Sequence, residues 1–260
     1  MRGLTRLKMP VVLMGLSLSA LTLQAAPYPE RPIRLVVSSA PGGAADLIAR
    51  PIAMQMEKQF GYTIVVDNRA GANGIIGTDI VAKAVPDGYT FLVNTVAVTI
   101  NPSVYRKLPY DTERDLLPVT NLALGSGYIL IVHPSVPANS VQELIALARH
   151  KDSRFGYGTP GFGNGQHLAG ELFNLRAGVP GFKFVGNWDG WFAPAHTPLA
   201  IIAHIYSAIR QTLQVPKIRD AIVAAGYDPV ADTPVEFGQF VRAEIRKYAE
   251  IAHAAKIQPE

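Results

Sequence analysis

Apolar positions along the chain form short runs that alternate with stretches of helical period. The run Ile33–Val37, rich in β-branched residues, suits a buried strand. A helix over about Ala45–Phe60 follows, with Leu47, Ile48 and Ile52 on one face and Gly61 as its stop. Tyr62–Val66 reads as the next strand, and the turn Asn68–Gly74 leads into an apolar helix from about Ile75 to Ala84. Pro86-Asp87-Gly88 is a turn, and Tyr89–Asn94 a third strand. Strands separated by helices predict parallel βαβ units with right-handed crossovers.

Beyond this the pattern predicts a loop from Asn101 to Asp115, carrying Pro102 and Pro109, and a strand at Gly127–Val132. A helix at Ser140–His150 has Asn139 or Ser140 as its cap, and Arg154–Tyr157 reads as a short strand. The turn Gly158–Gly165 then opens a helix at about Gln166–Leu175. Trp188, Trp191 and Phe192 mark a strand, and helices follow at Leu199–Leu213, Pro216–Ala225 and Pro234 to about Ala255.

The candidate chemistry lies where strands turn into helices. Ala40-Pro41-Gly42-Gly43 joins the first strand to the first helix, which runs on through Ala44. Unsatisfied N–H groups at that helix start, backed by the positive end of the macrodipole, make an anion seat out of backbone alone. No Gly-Lys-Ser/Thr follows, so a nucleotide phosphate loop is unsupported. Asp46 either reaches a ligand amine or fixes the loop. Asn94 and Thr95 end a strand where open α/β sheets bind ligands, or simply cap it. The turn at Gly158–Gly165 repeats the strand–glycine–helix design, which suggests two lobes gripping one ligand between helix starts. Its formal GxGxxG match, Gly156 to Gly161, lacks the register of a dinucleotide fold. His167 and Glu171 share a helix face but lack a third metal ligand, and no serine sits in G-x-S-x-G. No metal, cofactor or enzymatic chemistry is therefore expected.

Composition adds the compartment. Arg2, Arg6 and Lys8 precede an apolar run from Met9 to Leu23 and the small residues Ala25-Ala26, so residues 1–26 read as a secretory signal peptide and the protein as periplasmic. Those residues hold three of the 24 Lys+Arg and none of the 20 acids, which brings the formal charge of +4 close to neutrality. A nucleic-acid partner is therefore not expected, and the absence of cysteine excludes disulfides and thiolate sites.

The runs YPERPIRLVV, APGGAADLIAR, VDNRAGANGIIGTDIVAKAVPDGYT, NPSVYRKLPYD, GNGQHLAGELF and WFAPAHTP together resemble the Bug (TctC-like) family, periplasmic solute-binding components of tripartite tricarboxylate transporters. The resemblance implies an α/β, two-lobed periplasmic binding protein of type II-like, Venus-flytrap form. It would bind a small carboxylate, pass it to a membrane permease, and act as a monomer. It also implies that two turns hold the carboxylate, Ala40 to Asp46 in one lobe and Thr159, Gly161, Gly163, Asn164, Gln166 and His167 in the other. A block of the second lobe is missing between about Val179 and Pro180. The expected division is residues 27–124 plus 188–260 for the first lobe and 125–187 for a truncated second lobe. The alternative is a shortened member that has lost solute capture and serves as an interaction module or persists as a non-functional remnant.

Overall fold

The computed structural model describes residues 28–125, 127–149, 158–159, 162–177, 188–254 and 257–259. The predicted signal segment, the Arg154–Tyr157 strand and Gly161 lie outside the described residues.

A six-stranded mixed sheet carries the fold, in the order β2-β1-β3-β5-β4-β6. Strand β1 (Ile33–Val37) lies between β2 (Ile64–Asn68) and β3 (Thr90–Thr95), parallel to both. Its apolar run is buried on both faces, as a central parallel strand requires. Next come β4 (Leu116–Gly125) and β5 (Trp188–Pro194), with β5 antiparallel to β3 and to β4. The three-residue β6 (Tyr227–Pro229) closes the far edge, short enough to offer little template for pairing.

Helices cover both faces. Helix α1 (Ala44–Phe60) follows β1 and ends at Gly61, whose φ of 72° lets its N–H reach Glu57 O. Helix α2 (Ile75–Ala82) follows a 3-10 turn at Ala72–Gly74, and α3 (Ala97–Val104) and the one-turn α4 (Thr112–Asp115) follow β3. Helices α5 (Val141–Ala148) and α6 (Gly165–Arg176) lie between β4 and β5. After β5 come α7 (Leu199–Leu213), α8 (Pro216–Ala224) and α9 (Pro234–Ala254). One core, with Ile48, Ile52, Ile205 and Trp191, joins α1, α7 and α8 to the sheet. The opposite core gathers Val81, Val98, Leu168, Trp188 and Phe237 from α2, α3, α6, β5 and α9. Because α1 and α2 leave β1 and β2 toward opposite faces, the carboxyl ends of β1 and β3 form the topological switch point at which open α/β sheets bind ligands.

Several elements differ from the sequence expectation. Asn101–Asp115, expected as a loop, contains most of α3's last turn and all of α4. Helix α3 accommodates Pro102, and Asp111 caps α4 by accepting hydrogen bonds from Glu113 N and Arg114 N. Strand β4 escapes a period-two reading because its register shifts between Pro118 and Thr120 and again between Asn121 and Ala123. Gly127–Val132 forms no strand, and Ile129 and Ile131 are 84% and 82% exposed. Its apolar pattern has no ladder among the described residues, and a strand needs one. Helix α5 starts at a capping box, with Ser140 Oγ accepting from Glu143 N and Glu143 Oε2 accepting from Asn139 N.

Candidate functional site

Both glycine turns have the same local construction. In the first, Gly42 has φ +76° and its N–H donates to Asp46 Oδ2, four residues on, at 2.9 Å. In the second, Gly163 has φ +71° and its N–H donates to His167 Nδ1, again four residues on, at 3.1 Å. The next residue, Gly43 or Asn164, is the helix N-cap in extended conformation. The amides of Ala44 and Ala45, and of Gly165 and Gln166, then begin α1 and α6 without a hydrogen-bond acceptor among the described residues. Each turn thus presents two unclaimed N–H donors at the positive end of a helix. Ala40, Pro41 and Gly42 are exposed, while Gly43 and Ala44 are half-buried.

Asp46 braces the first turn. It is 4% exposed, pairs with Arg50 at 2.6 Å, accepts from Asn68 Nδ2 at 3.0 Å, and receives the Gly42 amide. Burial raises its pKa, but the hydrogen bonds from Arg50, Gly42 and Asn68 together outweigh that and hold it below the usual carboxylate value. Asn68 also donates to Ser39 O, and the Asp46 amide donates to Ser39 Oγ. Both Asp46 carboxylate oxygens are occupied within the protein, which favours its loop-fixing role over contact with a ligand amine.

Asn94 is similarly engaged. Its Oδ1 accepts from Ser38 Oγ at 2.7 Å and from Thr95 N, and its Nδ2 donates to Thr78 Oγ1. It ties the ends of β1 and β3 together, and Thr95 remains half-buried beside it. Thr159 is half-buried and Gln166 exposed.

The 3-10 turn Ala72–Gly74 links the second glycine turn to the ends of β1 and β3. A Cβ on Gly74 would lie 3.0 Å from Asn94 Oδ1 and 3.2 Å from Ser38 Cβ, so this turn packs directly on the β1–β3 ends. Asn73, at φ +51°, donates through Nδ2 to Gly163 O at 2.8 Å and to Asn101 Oδ1 at 2.7 Å. Asn101 returns a bond to Asn73 O. On its other side the second turn lies against the chain just past β3: a Cβ on Gly165 would be 3.2 Å from Val96 Cγ1, and one on Gly163 would be 2.7 Å from Val104 Cγ2. Both turns therefore border the carboxyl ends of β1 and β3.

The glycines are required for different reasons. A methyl group at Gly42 meets nothing within 4 Å, so Gly42→Ala carries only the penalty of the left-handed backbone, about 1 kcal/mol. Gly163→Ala adds the Val104 clash and is expected to cost about 2–3 kcal/mol. Urea denaturation of both variants checks the order.

Sequence reasoning passed over Asn73, Asn101 and Asp189. The signal for Asp189 was an acid inside the apolar run WDGWFAP; it is fully buried on β5. Asn73 and Asn101 carried no signal, because glycine turns and proline-containing stretches commonly hold asparagine at the surface.

The fold is that of the periplasmic binding proteins, two-lobed α/β receptors. One solved structure, "R. palustris Rpa4515 with adipate", superposes with TM-score 0.82 at 26% identity, over 90% of this chain and 100% of that one. The description "Tripartite tricarboxylate transporter family receptor" matches residues 48–184, and the chain belongs to that family. A UPF0065 protein of Bordetella bronchiseptica is 39% identical over 76% of this chain and 57% of its own length. Another UPF0065 protein, from Bordetella pertussis, is 25% identical, covering 96% of this chain and 97% of its own. That second alignment spans 318 residues, more than the 260 of this chain, so the relative carries stretches without a counterpart here. No helix among the described residues is long and apolar enough to cross a membrane.

Proposed function

We propose that the chain captures a small carboxylate in the periplasm and presents it to the membrane permease of a tripartite tricarboxylate transporter, performing no chemistry itself. The observation that carries this reading is the matched pair of turns, each with two unclaimed amides at a helix start, both bordering the carboxyl ends of β1 and β3. Amide donors to a carboxylate form charge-assisted bonds, stronger than neutral ones, and the helix ends add favourable potential. Ala40–Ala44 with Asp46 behind them, Asn94 and Thr95 at the strand ends, and Thr159–His167 opposite compose the proposed site. Residues 1–26 would act as the export signal. Residues 27–124 with 188–260 would form the first lobe, and 125–187 a second lobe lacking the block expected near Val179. A dicarboxylate such as the adipate of the Rpa4515 structure fits the class.

Calorimetric titration and thermal melting with di- and tricarboxylates, amino acids and aromatic acids test the reading. A ligand at one hundred times its Kd should add about 2.7 kcal/mol of stability and raise the melting temperature. No heat and no shift with any compound would refute solute capture.

One observation favours the second reading, an interaction module without solute capture. The apolar run Gly127–Val132 stands exposed at Ile129 and Ile131, where monomeric proteins seldom leave large apolar patches uncovered. Concentration-dependent association without any solute response would support that alternative.

A further inference from the structure

Asp189 stands out as a buried acid that the proposed grip does not use. It is 0% exposed, and neither carboxyl oxygen has a hydrogen-bond partner among the described residues. In the sheet it sits directly opposite Thr95 on β3 and Ala123 on β4. Cross-strand partners share a face and lie about 5 Å apart, so Asp189 stands beside the half-buried Thr95 at the carboxyl end of β3. Among the described residues no cation reaches either oxygen within hydrogen-bond distance, and Arg242 and Arg246 on α9 do not pair with it. Strands β3 and β4 contain no titratable residue. On α1, Arg50 is paired with Asp46; just past α2, Lys83 pairs with Asp79; on α9, Lys247 pairs with Glu244, which also receives Trp188 Nε1. Tyr128 is a titratable neighbour: Asp189 raises its pKa, after burial.

We propose that solute capture is coupled to protonation of Asp189: the proposed site takes a carboxylate while Asp189 holds a proton and rejects it once Asp189 ionises. The reason is electrostatic. Two like charges at one low-dielectric strand end disfavour each other, and linkage makes the effect reciprocal. Burial alone pushes the Asp189 carboxyl up to about 8, so the transition falls in an accessible range. This inference rests on the receptor reading above.

The sign for stability also follows. The unfolded acid ionises near 3.8 and the folded one near 8, so its contribution is complete below the lower value and is lost as pH rises through the window. Asp189→Asn removes that decline and should raise the urea midpoint more at pH 8 than at pH 5.

The decisive test titrates adipate and malate into the purified protein by calorimetry from pH 6.5 to 9. Wild type should hold a constant Kd below the transition and weaken about tenfold one pH unit above it, as the competent fraction falls. Binding in Tris and in phosphate should show proton uptake rising toward one per solute over that range, a measurement that needs no variant. The Asp189→Asn protein should bind with a Kd that does not change with pH. The chain's two tryptophans, Trp188 and Trp191, flank Asp189, so wild-type fluorescence should titrate near the same pH. Solute binding with no pH dependence and no proton uptake overturns the coupling and leaves the receptor standing. A pH profile unchanged in Asp189→Asn does the same. Failure of both acids to bind at every pH overturns the receptor reading and the coupling together.

Discussion

Replacing Asp46 with alanine is expected to unfold the first turn and abolish carboxylate binding. One 4%-exposed side chain there holds the Gly42 amide, the Arg50 guanidinium and the Asn68 amide. Hydrogen bonds to a charged group contribute about 1.5–3 kcal/mol each, and the three removed here share one carboxylate, so their losses do not add in full. A destabilisation of about 2–4 kcal/mol is expected from urea denaturation. Binding should fall further than stability, at least about a hundredfold by calorimetry, because the Ala44 and Ala45 amides lose their fixed aim. Asp46→Asn retains shape and one acceptor oxygen but loses the charge, and should fall between. If Asp46→Ala binds adipate as wild type does, the turn is not the seat.

Asn73→Ala should have the second-largest effect, through a different mechanism. Asn73 occupies the left-handed region, which asparagine tolerates better than alanine, and its side chain carries the bond to Gly163 O. Alanine loses that bond and the one to Asn101 Oδ1, leaving the buried Asn101 short of a donor. The combined cost is about 2–3 kcal/mol. Proteolysis and hydrogen exchange in residues 162–177 should accelerate while β1–α1 stays protected, since the first turn does not depend on this bond. Exchange rates raised equally in both turns would contradict the proposed division of labour.

These residues show how far the sequence could be read. Strand β1, α1 and its Gly61 stop were legible because a central parallel strand is apolar on both faces and a glycine after a periodic run has few other uses. Helix α7 matched its expected span, Leu199–Leu213, because its apolar stripe is regular. Strand β4 was not legible: its bulges break the period, and it buries Thr120 and Asn121, with the Thr120 hydroxyl donating to Asp232 O. Conversely, Gly127–Val132 shows that β propensity without a partner strand does not make a strand. In the site, both glycine turns could be found by pattern, since φ values above +70° at Gly42 and Gly163 require that residue. Their matching i-to-i+4 braces could not, because aspartate and histidine perform one role with different chemistry. Asn73 joins elements 90 residues apart, a contact no local pattern encodes.

Solute capture, as proposed, depends on amides at two helix beginnings closing on one carboxylate. Amide-resolved NMR of the 15N-labelled protein, titrated with adipate at pH 6.5, tests this without any substitution. The Ala44, Ala45, Gly165 and Gln166 resonances should shift together with a single Kd. Shifts confined to one of the two turns, or absent from both while adipate binds elsewhere, would contradict it.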